Sequence, residues 1–194
     1  MDSRYTIAIA RPRDVPALAA IELAAAALLE GHAPRSVLNE TTSERDFMEA
    51  QEEGRLWVAL DGDAPVGFAL VEMLSDGLPH LDEVDVHPGH GRRGVGTELV
   101  RTVCEWVARR GLSGLTLTTF RAVPWNMPFY ARLGFEEMAP DEIGPELAAV
   151  LRDEASRGLD PEGRVAMRYR VRAAEKRRGR RRRDPPKTKP GRKR

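Results

Sequence analysis

The chain has one cysteine, Cys104, among its 194 residues. No internal disulfide framework is possible, and the usage fits a reducing, cytoplasmic setting. Metal-ligand spacing is missing too. His87 and His90 are neighbours in a Gly-Pro turn, which reads as an exposed turn and not as a zinc site. Long apolar runs are absent: the most apolar stretch, Ala17 to Leu29, is short and carries Glu22 in its middle. It lacks the length of a membrane span and the small-residue cleavage pattern of a secretory signal. From Lys176 onward there is no aliphatic or aromatic residue at all. Such a segment cannot bury enough apolar surface to offset its chain entropy, so residues 173–194 are expected to be a disordered tail behind one domain, 1–172.

Charge is present in quantity but unevenly placed. The net charge is +1, yet Lys176 to Arg194 holds twelve Lys or Arg against one acid. The preceding 175 residues carry 19 basic and 29 acidic groups, a net of −10. An acidic body therefore carries a basic, Arg/Lys-rich tail.

Periodicity and turn residues organise the body. Tyr5 to Ala10 alternates as a strand, and Asp14 offers an N-cap for a helix running to about Glu30. Gly31 to Thr42 reads as a loop, and Ser43 with Asp46 resembles a capping box opening a helix to about Glu53. Leu56 to Leu60 and Val66 to Met73 flank the turn Asp61-Gly62-Asp63 as a hairpin. Leu81 to Val86 is a further strand. From about Gly91 a helix runs to Arg110, with Val95, Leu99, Val103, Trp106 and Val107 on one face. Cys104 in that helix reads as a small buried apolar residue. Leu115 to Phe120, a short helix from Pro124 to Arg132, a helix from Pro145 to about Arg157 and a strand from Arg164 to Arg170 complete the body. The order predicts an α/β (α+β) domain, a mixed sheet with helices on its faces.

The segment "HPGHGRRGVGTEL", His87 to Leu99, holds two overlapping glycine signatures. Gly89, Gly91 and Gly94 match GxGxxG, the dinucleotide fingerprint, which needs an acid at the end of the next strand. That strand, Leu115 to Phe120, ends without one. No GxxxxGK[ST] phosphate loop is present either. The second signature places Gly94 and Gly96 at a helix start, where unpaired N–H groups and the helix dipole favour an anion.

"VDVHPGHGRRGVGTEL", Val84 to Leu99, resembles motif A of the GNAT superfamily of acyl-CoA-dependent N-acyltransferases, a strand entering an [RQ]xxGx[GA] turn and then a long helix. The family's leading Arg or Gln falls here on Gly91, with arginines at the next two positions instead. "PWNMPFYARLGF", Pro124 to Phe135, resembles motif B, with Asn126, Tyr130, Gly134 and Phe135 in the matching places. "WVALDGDAPVGFALV" is similar to the family's second and third strands. The resemblance covers roughly Tyr5 to Arg170 and makes 1–172 a GNAT N-acetyltransferase domain. It implies a largely antiparallel sheet splayed at its centre, with helices on both faces.

The resemblance also implies a chemistry, acetyl transfer from acetyl-CoA to a primary amine by direct attack, with no metal. Arg92, Arg93, Gly94, Val95, Gly96 and Thr97 would hold the pyrophosphate, and the backbone of Val84 and Val86 would pair with pantetheine and polarise the thioester carbonyl. Tyr130 matches the family's general acid for the leaving thiolate, and Asn126, one turn earlier, would contact pantetheine or cap the helix. Alternation along "HLDEVDVHP" puts Glu83 and Asp85 on one face and Val84 and Val86 on the other. Glu83 is the first candidate for general base and Asp85 the second, against the plainer reading of acids that only attract a cation. His80 reads as a surface group beside Pro79, and Thr118 and Thr119 as strand residues at the cleft. A small-molecule or peptide amine is the expected acceptor, with no membrane partner, and a homodimer is compatible. A rival reading makes the chain an acyl-CoA-binding regulatory module whose tail docks on nucleic acid through salt-sensitive phosphate contacts.

Overall fold

In a computed structural model, residues 4–172 are described. The tail expected over 173–194 lies outside these described residues. In chain order the elements are β1 (Tyr5–Ile9), α1 (Leu18–Ala26), α2 (Arg35–Leu38), α3 (Glu44–Glu52), β2 (Leu56–Asp61), β3 (Ala64–Met73) and β4 (Pro79–Val86). They continue with α4 (Val95–Arg110), β5 (Gly114–Phe120), α5 (Met127–Arg132), β6 (Phe135–Glu137), α6 (Pro145–Ser156) and β7 (Arg164–Arg170). The seven strands form one sheet in the order β1-β2-β3-β4-β5-β7-β6. Every neighbouring pair is antiparallel except β4 and β5.

That one parallel pair decides where the molecule opens. β4 and β5 are registered only at His80 and Thr116. β4 runs on to Val86 and β5 to Phe120, so the strands part like a V beyond that point. The sheet thus splits into an arm of β1–β4 and an arm of β5, β7 and β6.

Each sheet face has its own apolar layer. On one face, Leu18 and Ile21 of α1 and Phe47 and Ala50 of α3 bury against Leu56, Val58, Phe68 and Leu70. On the other, Leu99, Val103 and Val107 of α4 pack on Trp57, Ala69, Leu81, Leu115 and Met167, so α4 spans both arms. Each fully buried Leu or Val side chain contributes up to about 1.5–3 kcal/mol, and α4 is therefore what holds the V at its base. Leu147 of α6 packs with Ala166 of β7 beneath the second arm.

Local chemistry explains the boundaries, including where they differ from the sequence reading. Ser43 Oγ accepts from the Asp46 N–H at 3.1 Å and starts α3. The Ser43 hydroxyl also donates to the Asp46 carboxylate, so only one half of a capping box forms. Asp14 is not an N-cap. It sits inside a 3₁₀ turn, Pro12–Ala17, buried, and accepts from the Arg11 backbone N–H and guanidinium. The stretch from Gly31 to Thr42 contains α2, a single turn. The long helix starts at Val95, four residues later than Gly91, because Pro88–His90 forms its own 3₁₀ turn and Gly94 adopts φ 86°. Among the described residues no helix is long and apolar enough to cross a membrane.

Candidate active site

The V between β4 and β5 is the mouth of an open cleft of about 1930 Å³, bounded by β4, the β4–α4 turn, β5, α5, α6 and α1. Pockets for single small ligands usually span about 300–1,000 Å³, so this one has room for two reactants side by side.

At one end lies the start of α4. Gly94 is the helix N-cap in the left-handed region, where a Cβ would be strained, and Arg92 shares that region at φ 58°. The Glu98 N–H is the first to find a carbonyl, that of Gly94. The N–H groups of Val95, Gly96 and Thr97 precede it and point out of the helix start. A 16-residue helix adds its dipole behind them. Gly96 has only Phe129 and Val86 side chains within reach of where a Cβ would sit, at 3.6 and 3.8 Å. Arg92, Gly94, Val95, Gly96 and Thr97 all border the cleft. Arg93 turns away, its guanidinium donating to Tyr5 Oη at 3.2 Å, and Tyr5 Oη also meets His90 Nδ1 at 3.2 Å. The turn can therefore receive a polyanion on backbone N–H groups, with Arg92 as the nearer cation.

β4 supplies the middle of the site. Its register with β3 slips between Leu70 and Val71, leaving Asp82 as an extra, bulged residue. Past the bulge, Glu83 lies opposite Leu70 and Asp85 opposite Phe68, on the α1/α3 face. Val84 and Val86 pack on the α4 side. The predicted separation of carboxylates from valines is present, although simple alternation does not pass through Asp82. Gly67 is opposite Val86, where a Cβ would come 2.7 Å from the Asp85 carbonyl, so glycine lets the strands close up here.

Glu83 and Asp85 are partly accessible and border the cleft. Burial pushes the Glu83 carboxyl well above its usual range, and the charge of Asp85 pushes it further. Burial, then the charge of Glu22, raises Asp85 likewise. Across the gap, Tyr130 packs its ring on Phe129 and Phe135, with centroids 5.0 and 5.7 Å away. Burial first, then Asp85 and Glu83, hold its phenol protonated far up the scale. Two carboxyls held above their ordinary range thus share the cleft with a phenol that keeps its proton. Asn126 is at the N-cap position of α5 and its carbonyl accepts from the N–H groups of Phe129 and Tyr130. Its side chain makes no capping bond and borders the cleft.

Several residues here escaped the sequence reading. His80 is not a surface group: it is 1% exposed, with Nδ1 3.1 Å from Thr116 Oγ1 at the apex of the V. Desolvation lowers its pKa to about 4, so it is a neutral hinge pin. Glu22 reaches from α1 into the cleft wall, both its oxygens accepting from the Thr42 N–H at 3.0 Å. A lone acid in an apolar run was the available signal. On the opposite wall Glu154 of α6 is clasped by Arg164 of β7 at 2.7 and 2.9 Å and by the Thr118 hydroxyl. Arg164 also stacks over Phe120, 4.5 Å from its centroid. Thr118 is thereby committed to this network, and Thr119 is buried beside it.

The fold resembles known structures. PaiA N-acetyltransferase of Thermoplasma acidophilum, solved with coenzyme A, superposes with a TM-score of 0.67 at 13% identity, covering 86% of this chain and 99% of that one. The ribosomal-protein-S18-alanine N-acetyltransferase of Escherichia coli gives 0.58 at 20% identity over 86% and 94%. Rv2747 of Mycobacterium tuberculosis, solved with CoA, gives 0.59 at 23% over 86% and 99%. At these identities the likeness is one of fold. The model of the acetyltransferase (GNAT) family matches residues 22–135, from the α1 acid through the glycine turn to Phe135. With more than half its length matched, and the splayed sheet in place, this chain belongs to the GNAT family of acetyltransferases.

Proposed function

We propose that the protein transfers an acetyl group from acetyl-CoA to a primary amine of a small molecule or peptide, by direct attack while both are bound. The observation that carries this reading is the convergence of Glu83, Asp85 and Tyr130 beside a helix start with unused N–H groups. The residues present suit coenzyme A. The N–H groups of Val95, Gly96 and Thr97, with Arg92, would hold the pyrophosphate, while Asn126 and the unpaired edge of β4 from Val84 to Val86 would hold the pantetheine. A backbone N–H near Val86 would steady charge on the thioester oxygen.

An ammonium must lose a proton before it can attack, and its usual pKa is near 10.4. Glu83 is the proposed acceptor of that proton, directly or through water, with Asp85 as the second carboxylate. A carboxyl raised above its ordinary range is a better base at physiological pH than an ordinary one. Tyr130 is the proposed donor to the departing thiolate. Holding both reactants in one cleft supplies a further part of the acceleration. Eleven carboxylates and five arginines border the cleft, which favours a cationic acceptor.

The test is CoA release from acetyl-CoA over a panel of amines, with CoA affinity measured by calorimetry. Turnover with cationic amines ahead of neutral or acidic ones supports the reading. Absence of both turnover and CoA binding overturns it. The nucleic-acid reading rests on the tail, outside the described residues, and nothing in the cleft favours it.

A further inference from the structure

The distribution of amines in this chain is unusual for an enzyme proposed to modify amines. All four lysines, Lys176, Lys187, Lys189 and Lys193, lie in the last nineteen residues. The first 175 residues contain none and use arginine for every side-chain cation apart from histidine. A guanidinium stays protonated and is no acyl acceptor at neutral pH. The cleft lining therefore offers no lysine amine of its own, and the only lysine side chains attached to the fold are on its C-terminal segment. That segment is also the part whose charge complements the cleft: twelve Lys or Arg and one acid, against eleven carboxylates and five arginines.

We propose that the C-terminal segment is a substrate of its own cleft: a tail lysine enters the half lined by Glu22, Asp82, Glu83 and Asp85 and takes the acetyl group in cis. This rests on the acetyltransferase reading above. Chain geometry selects among the lysines. Arg164 borders the cleft, and β7 carries the chain away from it to Arg170, six residues or about 20 Å further on. Lys176 lies six residues past Arg170, so even fully extended it spends its whole reach of about 20 Å retracing that strand. Lys187 lies seventeen residues past Arg170, with up to about 58 Å of contour, and Lys189 and Lys193 have more. Attachment to the fold gives the tail an effective concentration on the order of millimolar, which a free amine must match.

The step balances without any further reagent. The neutral lysine nitrogen attacks the thioester carbonyl carbon; the C–N bond forms and the C–S bond to CoA breaks. The amine proton goes to Glu83, and the thiolate takes a proton from Tyr130. The products are an N-acetyl-lysine and CoA. Each transfer deletes one positive charge from the tail.

The experiment is incubation of the full-length protein with acetyl-CoA and no other amine, with the acetyl group located by peptide mass spectrometry. It is run at several protein concentrations and beside full-length Glu83→Gln. The expected result is acetyl on Lys187, Lys189 or Lys193 in preference to Lys176. The rate constant should be independent of protein concentration and at least tenfold lower in Glu83→Gln. Acetyl spread equally to Lys176 or the α-amino group, a rate equal in both proteins, or a rate constant rising with protein concentration overturns the proposal. So does an unacetylated tail, including one that instead binds duplex DNA with steep salt dependence. The two readings are separated by a full-length chain with all four lysines changed to arginine. If it binds CoA and acetylates an external amine while the wild type leaves its tail unmodified, the tail proposal fails and the enzyme reading stands. If neither protein binds CoA or turns over, both fail.

Discussion

The two walls of the cleft hold their carboxylates in opposite ways. On the β5–β7 wall, Glu154 is 5% exposed and fully engaged by Arg164 and Thr118. On the β4 wall, Glu83 and Asp85 have no hydrogen-bond or ion-pair partner among the described residues, and each lies in the field of another carboxylate. A partly desolvated charge without a partner is costly, whereas a buried one with a bidentate arginine is tolerated. The contrast separates an acid that holds two elements together from acids left free to change protonation. Glu154 joins α6 to the second arm. In the proposed mechanism, Glu83 and Asp85 stand where the acceptor's proton is moved.

Substitutions that exchange these roles test the contrast. The largest effect is expected at Glu83→Gln, which keeps the shape and removes the proposed base. A kcat loss of about 10²–10⁴ with CoA affinity unchanged is expected from steady-state kinetics and calorimetry. Glu154→Ala should act the other way, on stability before chemistry. It leaves the Arg164 guanidinium without its carboxylate, with only the Thr118 hydroxyl and the Phe120 ring beside it, costing about 3 kcal/mol in a urea midpoint measurement.

His80 sits between the walls and gives a pH signature. Its folded-state value near 4 lies below the ordinary 6.5. Its contribution is therefore fully present above pH 6.5 and is lost as pH falls toward 4, where the unfolded chain binds the proton and the folded one does not. The shift corresponds to about 3 kcal/mol, and His80→Gln should flatten that part of the stability–pH curve. The smallest effect is expected at Asp85→Asn. Removing the like charge beside Glu83 should move the ascending limb of the pH–rate profile to lower pH by up to about one unit, with stability little changed.

Much of this was legible in the sequence because it depends on local spacing. The α4 face from Val95 to Val107 follows helical periodicity, and Ser43 marks its helix start by ordinary capping chemistry. The glycine turn and the opposition of Glu83 and Asp85 to Val84 and Val86 were also readable, being properties of neighbours in the chain. What escaped depends on partners far away. His80 is buried because Thr116, 36 residues on, meets it at the apex. Arg93 is drawn from the cleft by Tyr5, 88 residues back. The Asp82 bulge exists only in the pairing of β4 with β3, and the Glu154–Arg164 clasp only once α6 lies on β7. No one-dimensional pattern carries these contacts, and together they leave the acid of one wall clasped and those of the other without a partner among the described residues.

The central claim, that the unpartnered β4 carboxylates move the acceptor's proton, is tested most directly by the pH dependence of kcat/KM. Wild type and Glu83→Gln would be measured together with one cationic amine. The account predicts a wild-type ascending limb that contains an ionisation above the ordinary carboxylate range of about 4.3, and its loss in Glu83→Gln at every pH. Profiles of the same shape and height in the two proteins would contradict it.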